Sequence, residues 1–558
     1  MIVWDLSVHP QVKRSISRTR QYHTSSVNPL QARNITVSDN SKFLTMSQSG
    51  LKNRPQRVLI AGGCYAGLAA ATNLLELCEE RAPRFAPTVD FSKRACPIEI
   101  TVVDERDGFY HVIGSPLSLA EADYARKAWV RFSDVPGLQH PSINFVHGSL
   151  SNVDVDEKTA SIKPHGNESL IEHSYDYFLA ATGLRRVFPV VPQSLSRDEY
   201  LMEAQAHIEK ARNAKYGVVV IGGGAVGIEM AAELKHLDED LKVTLIHSRE
   251  KLLSSEPLPD NFKDETLSVL RSTGVKVVTG QRVIDISEPD AEEVVTMTLS
   301  SGETIKTSHV VNAISCSMPT SSYLPGSLLD EEGYVKIKPS LHLLDGDDYH
   351  FAAGDIARWS GIKRCGAAMH MGSFVAHNIH QHIISKLPDT RPSSPYRSPS
   401  DSFNDIPQSA YEPVYKKLGE HPAMIGLAIG PTATAYSPTE GTKTGPDVLK
   451  YMFGDDLGFS ICYNYMKLGE TPPSLVQETK AAPTDLVTAK ESVEVEEEQS
   501  TPALSAASTE SPVVEPQTPV DAVGNAEITN FEALGKHETG TMTIDVESVV
   551  TKVAEASI

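Results

Sequence analysis

The sequence has few cysteines, and none of them are spaced as close pairs. No C-x-x-C or C-x4-C spacing occurs among the 558 residues, which contain Cys64, Cys78, Cys96, Cys316, Cys365 and Cys462. Short spacings of this kind are typical of zinc sites and redox-active dithiols. Their absence argues against a disulfide framework, a zinc site and a redox dithiol, and it leaves any electron transfer to a bound cofactor.

Positive charge and long apolar runs are also scarce. The chain has 51 Lys and Arg against 72 Asp and Glu, a net charge of -21. Nucleic-acid binding needs basic surface, so the acidic balance disfavours such a partner.

The apolar stretch 423–429 is too short for a bilayer, which needs about twenty residues. It is interpreted as a buried strand, with a peripheral lipid or quinone entrance as the alternative.

The clearest motif lies between Tyr216 and Glu250. The apolar run Val218 to Ile221 precedes a G-x-G-x-x-G motif and a helix, and a second apolar run, Val243 to Ile246, follows. This order predicts a βαβ unit whose glycine turn binds a dinucleotide pyrophosphate at the helix N-terminus. The three motif residues are Gly222, Gly224 and Gly227.

The residues at the tip of the second strand bear on nicotinamide choice. An acid there accepts the ribose 2′-hydroxyl of NAD, but this chain has His247, Ser248 and Arg249. Arg249 offers a planar fork of donors to a 2′-phosphate, so the interpretation favours NADPH or use of both nucleotides. The alternative is an exposed Arg249 without cofactor contact.

A second glycine motif follows the predicted strand Arg57 to Ala61, and a helix Leu68 to Leu77 is predicted after it. The motif has a cysteine at the position of the middle glycine, and its residues are Gly62, Gly63, Cys64, Tyr65, Ala66 and Gly67. The strand Ile98 to Val103 ends in Asp104, and an acid there is expected to bind the ribose of an adenine dinucleotide. Asp104 lies 42 residues beyond the first glycine rather than the usual twenty or so. The insertion Glu79 to Pro97 explains the excess as a surface loop. Cys64 is interpreted as structural, with a reactive thiol at a helix N-terminus as the alternative.

Two later strands return to this first unit. One ends in Ala181-Thr182-Gly183, and the other ends in Gly354-Asp355. Two glycine motifs, an A-T-G turn before the second and a G-D turn after it resemble the two-dinucleotide-domain flavoprotein reductases. The resemblance implies FAD on the first domain, NADH or NADPH on an inserted second domain, and a ribityl contact from Asp355.

Local matches are closer to the apoptosis-inducing-factor-like, ferroptosis-suppressor quinone reductases. They include GGGAVGIEMAAEL, VTLIHS, Phe109-Tyr110-His111, GDIA followed by Lys363, and DDLGFSICYNYMKL. The resemblance covers about residues 55 to 470. It implies that Lys363, before a predicted helix Gly366 to Phe374, supplies positive potential at the flavin, with an exposed lysine as the alternative. Glu229 is expected to meet the nicotinamide or the flavin edge, or otherwise to be a solvated helix charge.

The predicted architecture is α/β, with two Rossmann-like dinucleotide-binding domains, the NAD(P)H domain inserted in the FAD domain, and a small C-terminal α+β piece. The expected boundaries are a leader 1–54, FAD domain parts 55–190 and 313–400, an NAD(P)H domain 191–312, a C-terminal subdomain 401–475 and a disordered acidic tail 476–558. Leu387 to Ser409 is interpreted as a connection rich in Pro and Ser.

The leader is basic and rich in Ser and Thr, a composition typical of a mitochondrial presequence. A disordered leader, or a start at Met46 with a cytoplasmic enzyme, is the alternative. The expected function is hydride transfer from NAD(P)H through FAD to a quinone-type acceptor. A tailoring oxidoreductase of a small secondary metabolite and a cell-death-related redox sensor with little turnover stay open. No metal is expected, and the oligomeric state is left open.

Overall fold

The computed structural model describes residues 54–83, 95–188, 190–314, 317–387 and 412–473. Several predictions concern residues outside these ranges: almost all of the leader, the middle of the Glu79–Pro97 insertion, nearly all of the Leu387–Ser409 connection and the acidic tail. Cys316 also lies outside the described residues.

The strands in chain order are β1 (Gln56–Ala61), β2 (Ile98–Asp104), β3 (Gly108–Tyr110), β4 (Trp129–Arg131), β5 (Ile143–Asp154), β6 (Thr159–Pro164), β7 (Ile171–Ser174), β8 (Tyr177–Ala180), β9 (Leu184–Arg185), β10 (Val218–Ile221), β11 (Val243–Ile246), β12 (Lys276–Val278), β13 (Val283–Ile286), β14 (Val295–Leu299), β15 (Thr304–Thr307), β16 (His309–Asn312), β17 (Met318–Pro319), β18 (Val335–Lys336), β19 (His350–Ala352), β20 (Ala357–Arg358), β21 (Ile425–Ile429), β22 (Thr432–Ser437) and β23 (Gly441–Gly445). The α-helices are α1 (Tyr65–Cys78), α2 (Ser115–Ser118), α3 (Ala122–Ala128), α4 (Arg197–Arg212), α5 (Ala225–Leu237), α6 (Asp260–Ser272), α7 (Cys365–Lys386), α8 (Pro446–Phe453) and α9 (Phe459–Tyr465).

The largest sheet has seven strands in the order β19-β8-β1-β2-β5-β6-β7. Its first five strands are parallel, and β6 and β7 extend it in antiparallel fashion. The register pairs Ala61 with Ala180, and Ala180 with Ala352. Because parallel strands end at the same edge, the first glycine turn, the A-T-G turn and the G-D turn all begin side by side.

A second, four-stranded parallel sheet has the order β12-β11-β10-β16. Its central strand β10 consists of four buried β-branched residues, which suit a strand covered on both faces. Ile221 pairs with Ile246 on one side and with Asn312 on the other. The second glycine turn therefore leaves this sheet at its carboxyl edge, as the first turn leaves the larger sheet.

Helices α1 and α7 pack against each other beside the larger sheet. A Cβ added at Gly372 would lie 2.2 Å from the Ala66 carbonyl oxygen, so only glycine permits this approach. The close contact holds the start of α1, which follows the first glycine turn, against the middle of α7.

The predicted α/β fold is confirmed. The predicted strands 218–221 and 243–246 have those bounds in the structure. The helix predicted over Gly366 to Phe374 was too short, because α7 continues to Lys386. The proposed domain boundaries stay a prediction.

The C-terminal part combines the antiparallel sheet β21-β22-β23 with α8 and α9. The apolar stretch interpreted as a strand contains β21, whose last three residues are buried. No helix among the described residues has the length and hydropathy needed to cross a membrane.

Candidate active site at the two glycine turns

The first glycine turn depends on close backbone contacts. Gly62 has φ +109°, and a Cβ there would lie 2.3 Å from the Ala181 carbonyl oxygen of the A-T-G turn. A Cβ at Gly67 would lie 1.8 Å from the Gly62 carbonyl oxygen. Both positions therefore require glycine, which lets α1 begin directly against its strand.

The second glycine turn repeats this construction. Gly222 has φ +120°, and a Cβ at Gly227 would lie 2.0 Å from the Gly222 carbonyl oxygen. A Cβ at Gly224, by contrast, would meet nothing within 4 Å. The open side of the turn, at the N-terminus of α5, fits a pyrophosphate that binds backbone N–H groups.

Cys64 occupies the corresponding middle position of the first turn. Its side chain packs against the core, and its Sγ donates to the Tyr110 carbonyl oxygen at 3.6 Å. Burial raises the pKa of Cys64 to about 12, so the thiol form is present at neutral pH. The contact with β3 gives the side chain a structural explanation.

Asp104 and His247 make the same contact in the two units. Asp104, the last residue of β2, accepts a hydrogen bond from the Gly63 backbone N–H at 2.6 Å. His247, just after β11, accepts one from the Gly223 backbone N–H through Nδ1 at 3.1 Å. Each side chain therefore holds its glycine turn. This contact of Asp104 is additional to the ribose contact expected from the sequence, which stays a prediction.

His247 is neutral at physiological pH in this arrangement. Its Nδ1 accepts from Gly223, so the ring proton is on Nε2, which donates to the Ser254 hydroxyl at 3.2 Å. Burial lowers the pKa of His247 and the charge of Arg249 adds to this shift, while a hydrogen bond to the Lys251 backbone opposes it. Arg249 itself is exposed. His247, Ser248 and Arg249 therefore provide one accessible guanidinium and no carboxylate, and the first acid after them is Glu250.

The A-T-G turn is fixed by a pair of threonines. Thr182 Oγ1 donates to the Thr320 carbonyl oxygen at 2.8 Å, and Thr320 Oγ1 donates to the Thr182 carbonyl oxygen at 2.8 Å. Gly183 has φ +68°, and a Cβ there would meet nothing within 4 Å. The turn is thus rigid while its glycine faces open space.

The G-D turn brings an unpredicted arginine into the site. Gly354 has φ +78° and begins a short 3-10 helix that presents Asp355. The Asp355 carboxylate pairs with the Arg186 guanidinium at 3.3 Å. Arg186 is far away in sequence and follows the A-T-G turn, so no local pattern could have identified it. A ribityl contact from Asp355 stays a prediction.

Lys363 is half-buried beside the same turn. Its Nζ donates to the Ala357 carbonyl oxygen at 2.6 Å and lies 5.1 Å from the centre of the Tyr334 ring. Burial lowers the pKa of Lys363, and the nearby carboxylate of Asp355 opposes this shift. The lysine is therefore held in place rather than freely solvated.

Glu229 lies on the first turns of α5, two residues after Gly227. Its Oε1 accepts from the Ala428 backbone N–H of β21 at 3.2 Å. Desolvation raises the pKa of Glu229 to about 8. Glu233, one helical turn further, is buried, and desolvation raises its pKa to about 8 as well. No sequence pattern singles out Glu233.

A hydrogen-bond chain connects the start of α1 to the segment before α9. Tyr65 Oη is 3.1 Å from His111 Nδ1, and His111 Nε2 is 2.9 Å from the Leu457 carbonyl oxygen. A carbonyl only accepts, so Nε2 carries the proton and Tyr65 donates to Nδ1. Burial lowers the pKa of His111 to about 4, which keeps the ring neutral. Hydrogen bonds therefore join the start of α1 to a segment almost 400 residues later in the chain.

The two glycine turns are open at the edges of their sheets, and a helix N-terminus follows each of them. This arrangement fits a pair of dinucleotides. Together with the A-T-G and G-D turns, they define the class of FAD-dependent oxidoreductases that use NAD(P)H. The family model of the pyridine nucleotide-disulphide oxidoreductases matches residues 135–372. The chain belongs to that family.

Its relatives include oxidoreductase OXR1 of Ajellomyces capsulatus, which is 45% identical over 458 residues that cover 80% of this chain and 94% of that protein. Ferroptosis suppressor protein 1 of Xenopus tropicalis is 27% identical over 337 residues, covering 59% of this chain and 82% of the relative. The solved sulfide:quinone oxidoreductase of Aquifex aeolicus has a TM-score of 0.52 at 18% identity, covering 76% of this chain and 94% of that one. At this identity the structural likeness concerns the fold alone.

Proposed function

We propose that this enzyme passes electrons from NAD(P)H through FAD to a quinone-class acceptor. When bound, NAD(P)H supplies a hydride and FAD relays its two electrons. The residues of the first glycine turn, the A-T-G turn and the G-D turn would hold FAD. Those of the second turn, with His247 and Arg249 at the neighbouring strand tip, would hold the nicotinamide nucleotide.

The observation that carries this proposal is the position of Glu229, whose carboxyl lies just after the second glycine turn and accepts the Ala428 backbone N–H at 3.2 Å. With a pKa raised to about 8, its side chain holds a proton at neutral pH. Reduction of a quinone to a hydroquinone takes protons as well as electrons, so the acceptor site needs a proton donor. Glu229 follows the second glycine turn directly, and the Ala428 N–H fixes its carboxyl.

Lys363 supplies the complementary charge. A quinone oxygen becomes negative as electrons arrive, and a preorganised cation nearby stabilises that charge. Ile362, its neighbour in the chain, packs against the same apolar cluster as residues of α5 and β21. The segment that holds Lys363 and the elements that hold Glu229 therefore contact one apolar cluster.

Resemblance and chemistry both favour a small diffusible acceptor. The local motifs resemble those of the ferroptosis-suppressor quinone reductases. The solved Aquifex protein, which has the same fold, is named as a sulfide:quinone oxidoreductase. Among the described residues, no three His, Cys, Asp or Glu side chains are grouped as metal ligands.

Rapid mixing tests the proposal. The purified flavoprotein is reduced anaerobically with NADPH or NADH, and the reduced enzyme is mixed with a short-chain ubiquinone analogue or with oxygen. The quinone should oxidise the enzyme much faster than oxygen does. Replacement Lys363→Ala should slow the quinone half-reaction by roughly 10- to 1000-fold, because one preorganised charge contact is lost.

Lys416→Ala is the matched control. Lys416 is also half-buried with a pKa lowered by burial, but it lies over the Phe374 ring at 5.1 Å, away from the G-D turn. This variant should reoxidise at the wild-type rate. If quinones reoxidise the wild-type enzyme no faster than air, the quinone assignment fails, and a small-metabolite acceptor takes its place.

A further inference from the structure

Two cysteines that are 97 residues apart in sequence meet in the fold. Cys365 is the first residue of α7, and Cys462 lies in α9; their sulfur atoms are 4.0 Å apart. Short spacing in the sequence identifies only dithiols that are close along the chain, so this pair becomes visible only in the fold. The pair takes no part in the proposed electron transfer.

The two thiols have different surroundings. Cys462 is fully buried, whereas Cys365 is only half-buried. The hydrogen bond from the Cys462 thiol, helped by the Gly366 backbone N–H, lowers the pKa of Cys365 although burial opposes this shift. The same contact and burial raise the pKa of Cys462. Cys365 is thus the better nucleophile, with a protonated thiol next to it.

Cys462 is held in place by its neighbours. The His111 side chain binds the Leu457 carbonyl oxygen just before α9, and Phe459 of α9 packs on Phe109 with ring centres 6.3 Å apart. Cys64 also lies near, but its thiol donates to the Tyr110 carbonyl oxygen, and burial raises its pKa to about 12. Cys462 is therefore the thiol best placed to react with a modified Cys365.

We propose that Cys365 and Cys462 form a dithiol site that hydroperoxides oxidise to a disulfide. The Cys365 thiolate attacks the peroxide, an S–O bond forms, the O–O bond breaks, and the leaving hydroxide or alkoxide takes up the proton that the thiol released. The Cys462 sulfur then attacks the sulfenic acid, an S–S bond forms, and water leaves with the Cys462 proton. Two thiols are oxidised and one peroxide is reduced to water or to water and an alcohol.

Cys78 and Cys96 provide an internal control. Their sulfur atoms are 3.2 Å apart, closer than those of the proposed pair. Both are buried, and Cys78 is the last residue of α1, where the helix end disfavours a thiolate. The hydrogen bond with Cys96 and burial raise the pKa of Cys78. If proximity alone decided reactivity, this pair would oxidise first.

The test uses the full-length flavoprotein, reduced with dithiothreitol, desalted without oxygen and treated with one to five equivalents of hydrogen peroxide. Peptide mapping under non-reducing conditions should find a Cys365–Cys462 disulfide, which dithiothreitol reverses. In Cys462→Ser, dimedone should label Cys365, and Cys365→Ser should leave Cys462 unoxidised. The Cys78→Ser variant should form the Cys365–Cys462 disulfide at the wild-type rate. In the wild-type protein, Cys365 should be modified at least about tenfold faster than Cys78.

The oxidised protein gives a second readout. A disulfide between α7 and α9 closes a long loop, so the melting temperature of the oxidised wild type should exceed that of the reduced form by at least about 3 °C. This shift needs no variant. Three results would each overturn the proposal. They are oxidation of Cys78 and Cys96 before the proposed pair, a disulfide that contains Cys64, and a Cys365 thiol that stays intact at peroxide levels that oxidise added glutathione.

Discussion

At the scale of single residues, nucleotide choice depends on the tip of β11. An acid at this position would accept the hydrogen bond of the Gly223 N–H. Here His247 accepts it as a neutral imidazole. The glycine turn is therefore held without a negative charge that would repel a 2′-phosphate. Arg249, two residues later, is exposed and carries a positive charge.

Replacement Arg249→Ala tests whether this guanidinium binds the 2′-phosphate. We expect the Kd for NADPH to rise by about tenfold or more, because a charge-assisted contact is lost, while the Kd for NADH changes little. Titration of the oxidised enzyme with both nucleotides measures the difference. Arg271→Ala, which removes another exposed arginine at the end of α6, should affect neither. Equal losses for the two nucleotides in Arg249→Ala would indicate a packing role instead.

The sequence could place some of these residues but not their partners. Strand tips follow from apolar runs, so the positions of Asp104 and His247 could be predicted. Their bonds to Gly63 and Gly223 could not, since they depend on how each turn folds back over its strand. The pairing of Asp355 with Arg186 joins two separate turns, and only the sheet order brings those turns together.

At the scale of elements, helix α5 packs against β21 and carries two carboxyl groups whose pKa values are raised. Glu229 has a backbone partner on β21, whereas the pKa of Glu233 is raised to about 8 by desolvation alone. An acid whose folded pKa lies above its unfolded value near 4.5 binds its proton more tightly in the folded state. The contribution of such an acid to the free energy of unfolding is therefore fully present below about pH 4.5, and it is lost as the pH rises toward about 8.

Replacement Glu233→Gln should reduce this loss of stability. Glutamine keeps the shape of the side chain but cannot ionise. Between pH 5 and pH 8, the free energy of unfolding of the variant should therefore rise relative to that of the wild type by at least about 1.4 kcal/mol, the value of one pKa unit. Denaturant unfolding at pH 5, 6.5 and 8 measures the difference. Glu209→Gln, at an exposed position of α4, should show no such trend. A pH-independent difference for Glu233→Gln would mean that the carboxyl is ionised throughout.

The elements themselves were predicted unevenly. Strands that lead into glycine turns were found to within a residue or so, because a short apolar run followed by glycine is a strong local signal. Helix α7 was predicted to stop at Phe374, yet it continues for another twelve residues. Its second half contains the buried polar residues Asn378, His380 and His382, whose burial is decided by tertiary packing.

At the scale of the whole molecule, the described C-terminal segment 455–468 completes the fold. The Tyr124 hydroxyl binds the Asp456 carbonyl oxygen at 2.9 Å, and the Gly137 N–H binds the Leu468 carbonyl oxygen at 2.8 Å. The segment also buries a set of apolar side chains: Phe459, Cys462, Tyr465, Met466 and Leu468. At roughly 2 kcal/mol each, these side chains contribute about 10 kcal/mol before the entropy of ordering the segment is subtracted.

Two truncations should therefore behave in opposite ways. A chain that ends after residue 475 loses only acidic, Pro-, Ser- and Thr-rich sequence outside the described residues, and we expect its flavin content and melting temperature to match the full-length protein. A chain that ends after residue 454 loses an apolar contribution as large as the whole stability of a typical domain, so it should be insoluble or free of flavin. Flavin absorbance and thermal unfolding of the purified proteins measure both effects. A large loss in the first truncation would show that the acidic tail packs on the enzyme, and an intact second truncation would show that the 455–468 segment is dispensable for the fold.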